Sequence, residues 1–468
     1  MQLSAVHILA VIWCYLCLCS CESNDKMPAN LSEEELSGGV NFTSYDFGKD
    51  AFGGEGKGLS REQSDLFGIG NSLFKETWVS APASVASLDG LGPIFNATSC
   101  GSCHFKDGRA APPDEFAKPR SGLLWRLSTN SESLRGEPLP HTVYGGQIQD
   151  RAILKVTPEA KVTITYEEIK GTYTDGSSYS LQKPTYQLSD LAYGEIKQPY
   201  ELSPRIATHL AGLGLLESIS EDDILANEDV NDEDKDGISG KANYVWNVKE
   251  KRKTLGRFGW KANQPNIIQQ NAGAFNGDMG LTSSFFPEDV FTPAQESQNP
   301  EIINGGSPEV SDKQLFAISF YIQTLAVPAK RNVNTPEYRT GRELFMSIGC
   351  ESCHKATFTT KAGNEFPFLN KQKIYPYTDL LLHDMGEGLA DNSPDFDATG
   401  REWRTAPLWG VGLIETVSKH TRLLHDGRAR NVEEAILWHG GEAKQTTEKF
   451  KKLSKKERED LIFFVNSL

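Results

Sequence analysis

NATSCGSCHFKDG, residues 96–108, sets Cys100, Cys103 and His104 in the pattern C-x-x-C-H. IGCESCHKATF, residues 348–358, repeats the pattern with Cys350, Cys353 and His354. Three chemistries compete for such a pattern. Four thiolates could hold one zinc ion, and each pair could form a redox disulfide. Neither gives a role to the histidine that closes each unit. Covalent c-type haem attachment uses all three residues: two thiols add to the vinyl groups and the adjacent imidazole becomes the proximal iron ligand. Two haem c groups are therefore expected, held by Cys100 and Cys103 with His104, and by Cys350 and Cys353 with His354.

The cysteine census agrees. Of eight cysteines, Cys14, Cys17, Cys19 and Cys21 lie in the first 21 residues, and the remaining four are those of the two motifs. MQLSAVHILAVIWCYLCLCSC has the length of a signal peptide rather than of a membrane span. It lacks the usual Lys or Arg in its n-region. It ends Leu18-Cys19-Ser20-Cys21, which resembles a bacterial lipobox with Cys21 as the lipidated residue. A plain secretory signal is the alternative. Either implies export to the cell envelope, where thioether attachment is made; the lipobox reading adds membrane contact only through a lipid anchor.

The other bounds are broad. With 48 Lys and Arg against 63 Asp and Glu, the net charge is −15, which argues against nucleic acid as a partner. A length of 468 residues allows two or three domains. An internal repeat narrows the count. VSDKQLFAISFYIQTL (310–325) aligns without a gap to LSKKEREDLIFFVNSL (453–468), and each opens on a capping box, Ser311 with Gln314 and Ser454 with Glu457. Helical stretches also precede each motif, in SREQSDLFGIGNSLFKETW and PEYRTGRELFMS.

The order helix, C-x-x-C-H, loops, closing helix predicts a mainly α protein of two class-I-cytochrome-c-like helical haem domains. Residues 1–21 are the expected signal with lipobox and 22–44 a flexible linker. The first haem domain spans 45–328 and the second 331–468. The first is enlarged by insertions, including a β-hairpin over 162–188 around Asp175-Gly176 and a helix over 203–219.

The opposite face of each iron is less direct. Only Met279 and Met385 lie between a motif and its closing helix, and both sit in Asp-Met-Gly. They are the candidate sixth ligands. His383 and His425, in LLHDMG and LLHDGRA, are alternative ligands or distal acid–base groups. His141, His209, His420 and His439 are read as hydrogen-bonded structural residues with a lesser claim to the iron. Trp260, in FGWKANQP, is a candidate aromatic bridge between haems. DVNDEDKDGISGKAN (229–243) alternates Asp232, Asp234 and Asp236 before Gly237, a pattern for Ca²⁺, although Asn243 replaces the glutamate of an EF-hand.

LGPIFNATSCGSCHFKDGRA, FNGDMGLTS, LLLHDMGEGLAD and RLLHDGRARNVEEAILWHGGEA resemble the recurring motifs of the bacterial di-haem oxidoreductase family, described as peroxidases or thiol oxidoreductases. More distant relatives are the di-haem cytochrome c peroxidases, whose R-T-P…M-H-x-G-R block carries a methionine ligand. Here WRTAPL is similar, but Leu424 occupies the methionine position. The resemblance implies an exported di-haem enzyme that passes electrons between its haems, with peroxide the leading substrate and a redox protein or small electron donor or acceptor as partner. Two alternatives carry no catalysis of their own: a pure electron-transfer cytochrome, and a redox partner or sensor in a lipid-anchored assembly. Oligomeric state is not legible.

Overall fold

Each capped helix begins where its sequence supplies a side-chain acceptor for free amides. A computed structural model of the chain describes residues 33–113, 122–129, 131–303 and 305–468. Cys21, the signal segment and most of the expected linker lie outside them. The described residues fall in one compact unit, 32–468. In chain order its principal elements are α1 (Arg61–Lys75), β1 (Leu123–Ser128), β2 (Gln147–Ile148), β3 (Lys161–Thr172), β4 (Ser178–Ser189), β5 (Glu201–Ile206), α2 (Ile267–Met279), α3 (Asp312–Gln323), α4 (Pro336–Ser347), β6 (Leu382–Asp384), β7 (Glu402–Arg404), α5 (Val432–Trp438), α6 (Lys444–Lys452) and α7 (Lys455–Ser467).

The capping boxes form as their sequences imply, at Ser311–Gln314 for α3 and Ser454–Glu457 for α7, with a third at Ser60–Gln63 for α1. The helices pack in two equivalent pairs. A Cβ on Gly70 of α1 would stand 2.2 Å from the Ala317 carbonyl oxygen of α3, and one on Gly341 of α4 would stand 2.0 Å from that of Asp460 on α7. Only glycine permits that approach. Four residues on from each glycine is a phenylalanine, Phe74 or Phe345, whose ring lies 6.2 Å from His104 and 6.3 Å from His354 respectively. The repeat seen in the sequence is thus a repeat of helix pairs that back the motif histidines.

The expectation of a mainly α fold is wrong. The described residues are 30% helical and 19% strand, with several small sheets. Long stretches between the helices lack helical periodicity, and their backbone groups pair as short strands instead. β1 lies between β2 and β5, antiparallel to both, with Trp125 opposite Ile148 and Pro204. The stretch read as a helix over 203–219 begins inside β5 and becomes helical only at Leu213–Glu217. Pro204 and the pairing with β1 override its apolar spacing. The hairpin is present and longer than expected. β3 and β4 pair from Lys161–Ser189 to Thr172–Ser178.

That hairpin is not isolated. Tyr173 donates its hydroxyl to Glu433 of α5 at 2.6 Å, and Arg458 of α7 pairs with Asp175 at 2.9 Å. Tyr173 and Leu181 belong to the same apolar cluster as Phe345, Phe450 and Phe464. A larger cluster gathers Phe74, Phe275, Met279 and Tyr321 around α1, α2 and α3. Truncating any of these buried aromatics to alanine costs about 3–5 kcal/mol.

Candidate haem sites

Cys100–Cys103 form a single helical turn, N-capped by the Ser99 hydroxyl, which accepts from Ser102 N at 3.2 Å. Three-residue spacing in that turn sets both thiols on one side. Lys106 and Asp107, at φ 55° and 61°, then turn the chain away. His104 donates from Nδ1 to the Thr208 carbonyl oxygen at 2.6 Å. A carbonyl only accepts, so the proton sits on Nδ1 and the lone pair on Nε2. The second motif repeats the geometry on a 3₁₀ turn, Cys350–Ser352, entered through Gly349 at φ 100°. His354 donates from Nδ1 to the Tyr377 carbonyl oxygen at 2.8 Å.

Burial holds both imidazoles neutral, with pKa values lowered to about 4. That is the form, and the tautomer, that binds a metal through Nε2. All four cysteines are free. Burial pushes the thiols of Cys100, Cys103 and Cys350 up to about 12. Among the described residues, no metal-ligating group gathers the two cysteine pairs, so the single-zinc reading loses its geometry.

A cavity of about 220 Å³ opens in front of the second motif, lined by Cys350, Cys353 and His354 together with Phe345, Leu408, Val432 and Val465. One water needs only about 10–15 Å³ of such volume, so this space suits a much larger group. Two arginines line the same walls. Arg109 donates from Nε to the Arg422 carbonyl at 2.8 Å and from Nη2 to that of Leu424. Arg404 donates to the carbonyls of Gly259 and Thr405, at 3.0 and 3.1 Å. Neither makes an ion pair among the described residues, and burial lowers both to about 10. An apolar slot walled by two guanidinium groups that make no ion pair among the described residues suits a flat apolar molecule bearing carboxylates. Haem, with its two propionates, has that chemistry.

The residues expected opposite the irons separate here. Met385 and His425 line the second cavity, as does Leu424, whose φ of 69° is unusual for its type. His425 is 3% exposed and stacks on Trp403. His383 also borders the cavity, but both its nitrogens are taken, Nδ1 by Glu442 at 2.7 Å and Nε2 by Asp379 at 2.8 Å. Burial alone would lower its pKa, yet these carboxylates and Cys353 raise it well above the usual histidine range. In this arrangement His383 offers no lone pair to a metal. His439, given little weight in the sequence, also lines the cavity. Met279 ends α2 at 2% exposure, inside the core beside the first motif.

Around the first motif the leading charged neighbour of both cysteines is Asp278. Its carboxyl is pushed up by burial and accepts from Gln147 Nε2 at 3.0 Å. Arg126 is the cation that most opposes that rise.

Residues 206–209 run between the two sites. Thr208 holds His104. Ile206 accepts the Trp260 indole N–H at 2.9 Å and donates its amide to the His425 carbonyl at 2.7 Å. His209 stacks on Phe52 at 5.0 Å, reaches the second cavity, and has no partner for Nδ1 among the described residues. Trp260 also carries the Arg109 guanidinium 5.3 Å over its ring.

The acidic loop differs in detail from its sequence reading. Asp229, Asp232 and Asp234 come within 4.8 Å of one another. Asp236 is outside that trio and caps the Ile238 amide at 2.8 Å.

Arg109, Arg404, Asp278 and His439 were not singled out from the sequence for these roles. Arg109 follows the first motif in HFKDGRA, and Asp278 lies in the Asp-Met-Gly already noted. The alternation of charge alone could not tell a buried unpaired arginine from a solvated one. The family described as "Di-haem oxidoreductase, putative peroxidase" matches residues 32–468. No curated protein sequence matches the chain. Among solved structures, the hydrazine synthase of Kuenenia stuttgartiensis, studied under 20 bar xenon, aligns over 99% of this chain and 100% of its own. Identity is 12% and the TM-score 0.32, a likeness too low to carry a fold or a function.

Proposed function

The chain belongs to the di-haem oxidoreductase family, and from that premise we propose that it is an exported c-type enzyme that reduces peroxide at one haem with electrons relayed from the other. As a member it is a redox enzyme with haem cofactors. The observation that carries the finer reading is the shared tautomer of His104 and His354, each proton held on Nδ1 by a backbone carbonyl. Cys100 and Cys103, and Cys350 and Cys353, are the proposed thioether anchors. Bound haem would supply one-electron chemistry and peroxide reduction. Two electrons and two protons convert H₂O₂ to two waters, and a redox protein or small donor outside the chain supplies the electrons.

The chain's own residues divide the remaining work. Asp278 is the proposed acid beside the first motif, where burial shifts its carboxyl toward the neutral form, and Arg126 provides a nearby cation. An acid and a cation are what O–O cleavage needs. Residues 206–209 and Trp260 join the two sites and are the proposed electron path. Arg109 and Arg404 would hold the carboxylates of the second haem. Ca²⁺ at Asp229, Asp232 and Asp234 is proposed as a structural ion, and Cys21 as the lipid anchor on the outer side of a bacterial membrane.

A second reading is a pure electron carrier. The burial of Met279, in the same Asp-Met-Gly context as Met385, favours it, since two six-coordinate irons would leave no site for peroxide. Optical and EPR spectra of the oxidised and half-reduced holoprotein, before and after peroxide, separate the two. A high-spin signal consumed by peroxide is expected. Two low-spin irons inert to peroxide would overturn the peroxidase reading.

A further inference from the structure

Two side chains reach the cavity of His354 from one wall, because Asp384-Met385-Gly386 and His439-Gly440-Gly441 meet backbone to backbone. A Cβ on Gly441 would stand 2.1 Å from the Asp384 carbonyl oxygen, and one on Gly440 3.0 Å from that of Met385. Gly386 and Gly441 are at φ 73° and 50°, both left-handed. The glycines in LLHDMGEG and LWHGGE thus have one physical cause: two loops pressed into a single wall. Met385 and His439 both start from that wall and both face the cavity of Cys350, Cys353 and His354. An iron has one axial position left once His354 binds.

His439 is the better prepared of the two. It caps the C-terminal end of α5 and is fixed there through its backbone. Its amide donates to the Ile436 carbonyl at 3.1 Å, and its own carbonyl accepts from the Thr447 hydroxyl at 2.8 Å. Its ring donates from Nδ1 to the Ala435 carbonyl at 2.6 Å. This is the device that holds His104 and His354, and it leaves the Nε2 lone pair without a partner among the described residues. Met385 donates its amide to the Arg401 carbonyl at 3.0 Å, and among the described residues no hydrogen bond orients its thioether. Pre-organised ligands lose less freedom on binding.

We propose that Nε2 of His439, rather than the thioether of Met385, ligates the second haem iron opposite His354. The assignment rests on the di-haem reading above. It makes the second haem a six-coordinate relay and leaves peroxide chemistry to the first.

The test is spectroscopic and uses the full-length holoprotein. Ferric EPR and the sulfur-to-iron charge-transfer band are recorded for the wild type, His439→Ala, His439→Met and Met385→Leu. His439→Ala should turn the low-spin second haem high-spin, and added imidazole should restore it. His439→Met should keep that iron low-spin while adding a sulfur band and raising its reduction potential, as methionine ligation does. Met385→Leu should leave every signal unchanged. Loss of a sulfur band or a low-spin signal in Met385→Leu overturns the assignment, as does a His439→Ala spectrum identical to wild type. If His439→Ala fails to fold, the Met385→Leu comparison still decides between the two ligands. A chain purified with fewer than two covalent haems would sink the di-haem reading itself, an outcome distinct from two haems with the second insensitive to His439.

Discussion

The imidazole of His425 lies flat on the indole of Trp403, with ring centroids 3.9 Å apart and planes 9° from parallel. Burial in that stack lowers the His425 pKa to about 4, with Arg428 and Lys261 adding to the effect and Asp426 and Asp391 opposing it. The unfolded chain, with an ordinary histidine near 6.5, therefore binds more protons between the two values. Stability should fall as pH drops from about 6.5 to about 4, by roughly 3 kcal/mol from this group at about 1.4 kcal/mol per unit. Melting temperature of the holoprotein against pH measures it. His425→Gln should flatten the acid limb, and an unchanged limb would contradict the stack as its cause.

Lys261 is fully buried and stands 4.3 Å over the same Trp403 ring. It pairs with Asp391 at 3.0 Å and donates to the Thr399 and Glu402 carbonyls at 2.7 and 3.1 Å. Breaking such a pair leaves a buried charge without its nearest counter-charge, although Arg205 stands 3.9 Å from Asp391. Lys261→Met or Asp391→Leu should each cost about 3–5 kcal/mol in denaturant unfolding, and the double variant less than their sum. Additive losses would mean the two residues act independently.

Gly441→Ala tests the wall between the two loops. Its Cβ would overlap the Asp384 carbonyl, and the left-handed backbone adds strain. The second haem's spectrum should change while the first's does not. Equal changes at both haems would place the damage elsewhere.

Asp278→Asn removes the buried proton donor beside the first motif and keeps its shape. Peroxide turnover should drop by on the order of 10²–10⁴, with both haems retained and their resting spectra unaltered. Turnover equal to wild type would move the acid to another residue.

Calcium should raise the melting temperature if Asp229, Asp232 and Asp234 share an ion. At a free concentration a hundred times the dissociation constant, the gain is about 2.7 kcal/mol. Asp232→Asn should abolish the response. No response in the wild type would leave the trio as a solvated acidic loop.

The motifs, their histidines, the four repeated helices and the hairpin were legible because each has a local cause: a fixed spacing, a capping side chain or a turn dipeptide. The balance of helix and strand was not. β5 looked helical from its apolar spacing, and only its partner β1, some 80 residues earlier, made it a strand. Site chemistry divided the same way. His104 and His354 could be read from their neighbours in sequence, but the carbonyls of Thr208 and Tyr377 that set their tautomers could not. His383 looked a stronger ligand than His439, and only Asp379 and Glu442, which occupy both of its nitrogens, reverse that order.

The hairpin's grip on the last helix has a consequence for assembly. Asp175 and Arg458 are 283 residues apart in the chain, and Tyr173 and Glu433 are 260 apart. A chain that emerges N-terminus first cannot close this clasp until residue 458 has appeared. Contacts of such long range form slowly. Both Cys-Gly-Ser-Cys-His and Cys-Glu-Ser-Cys-His have emerged by then, so the clasp defines an interval in which they can still be reached by whatever machinery modifies them.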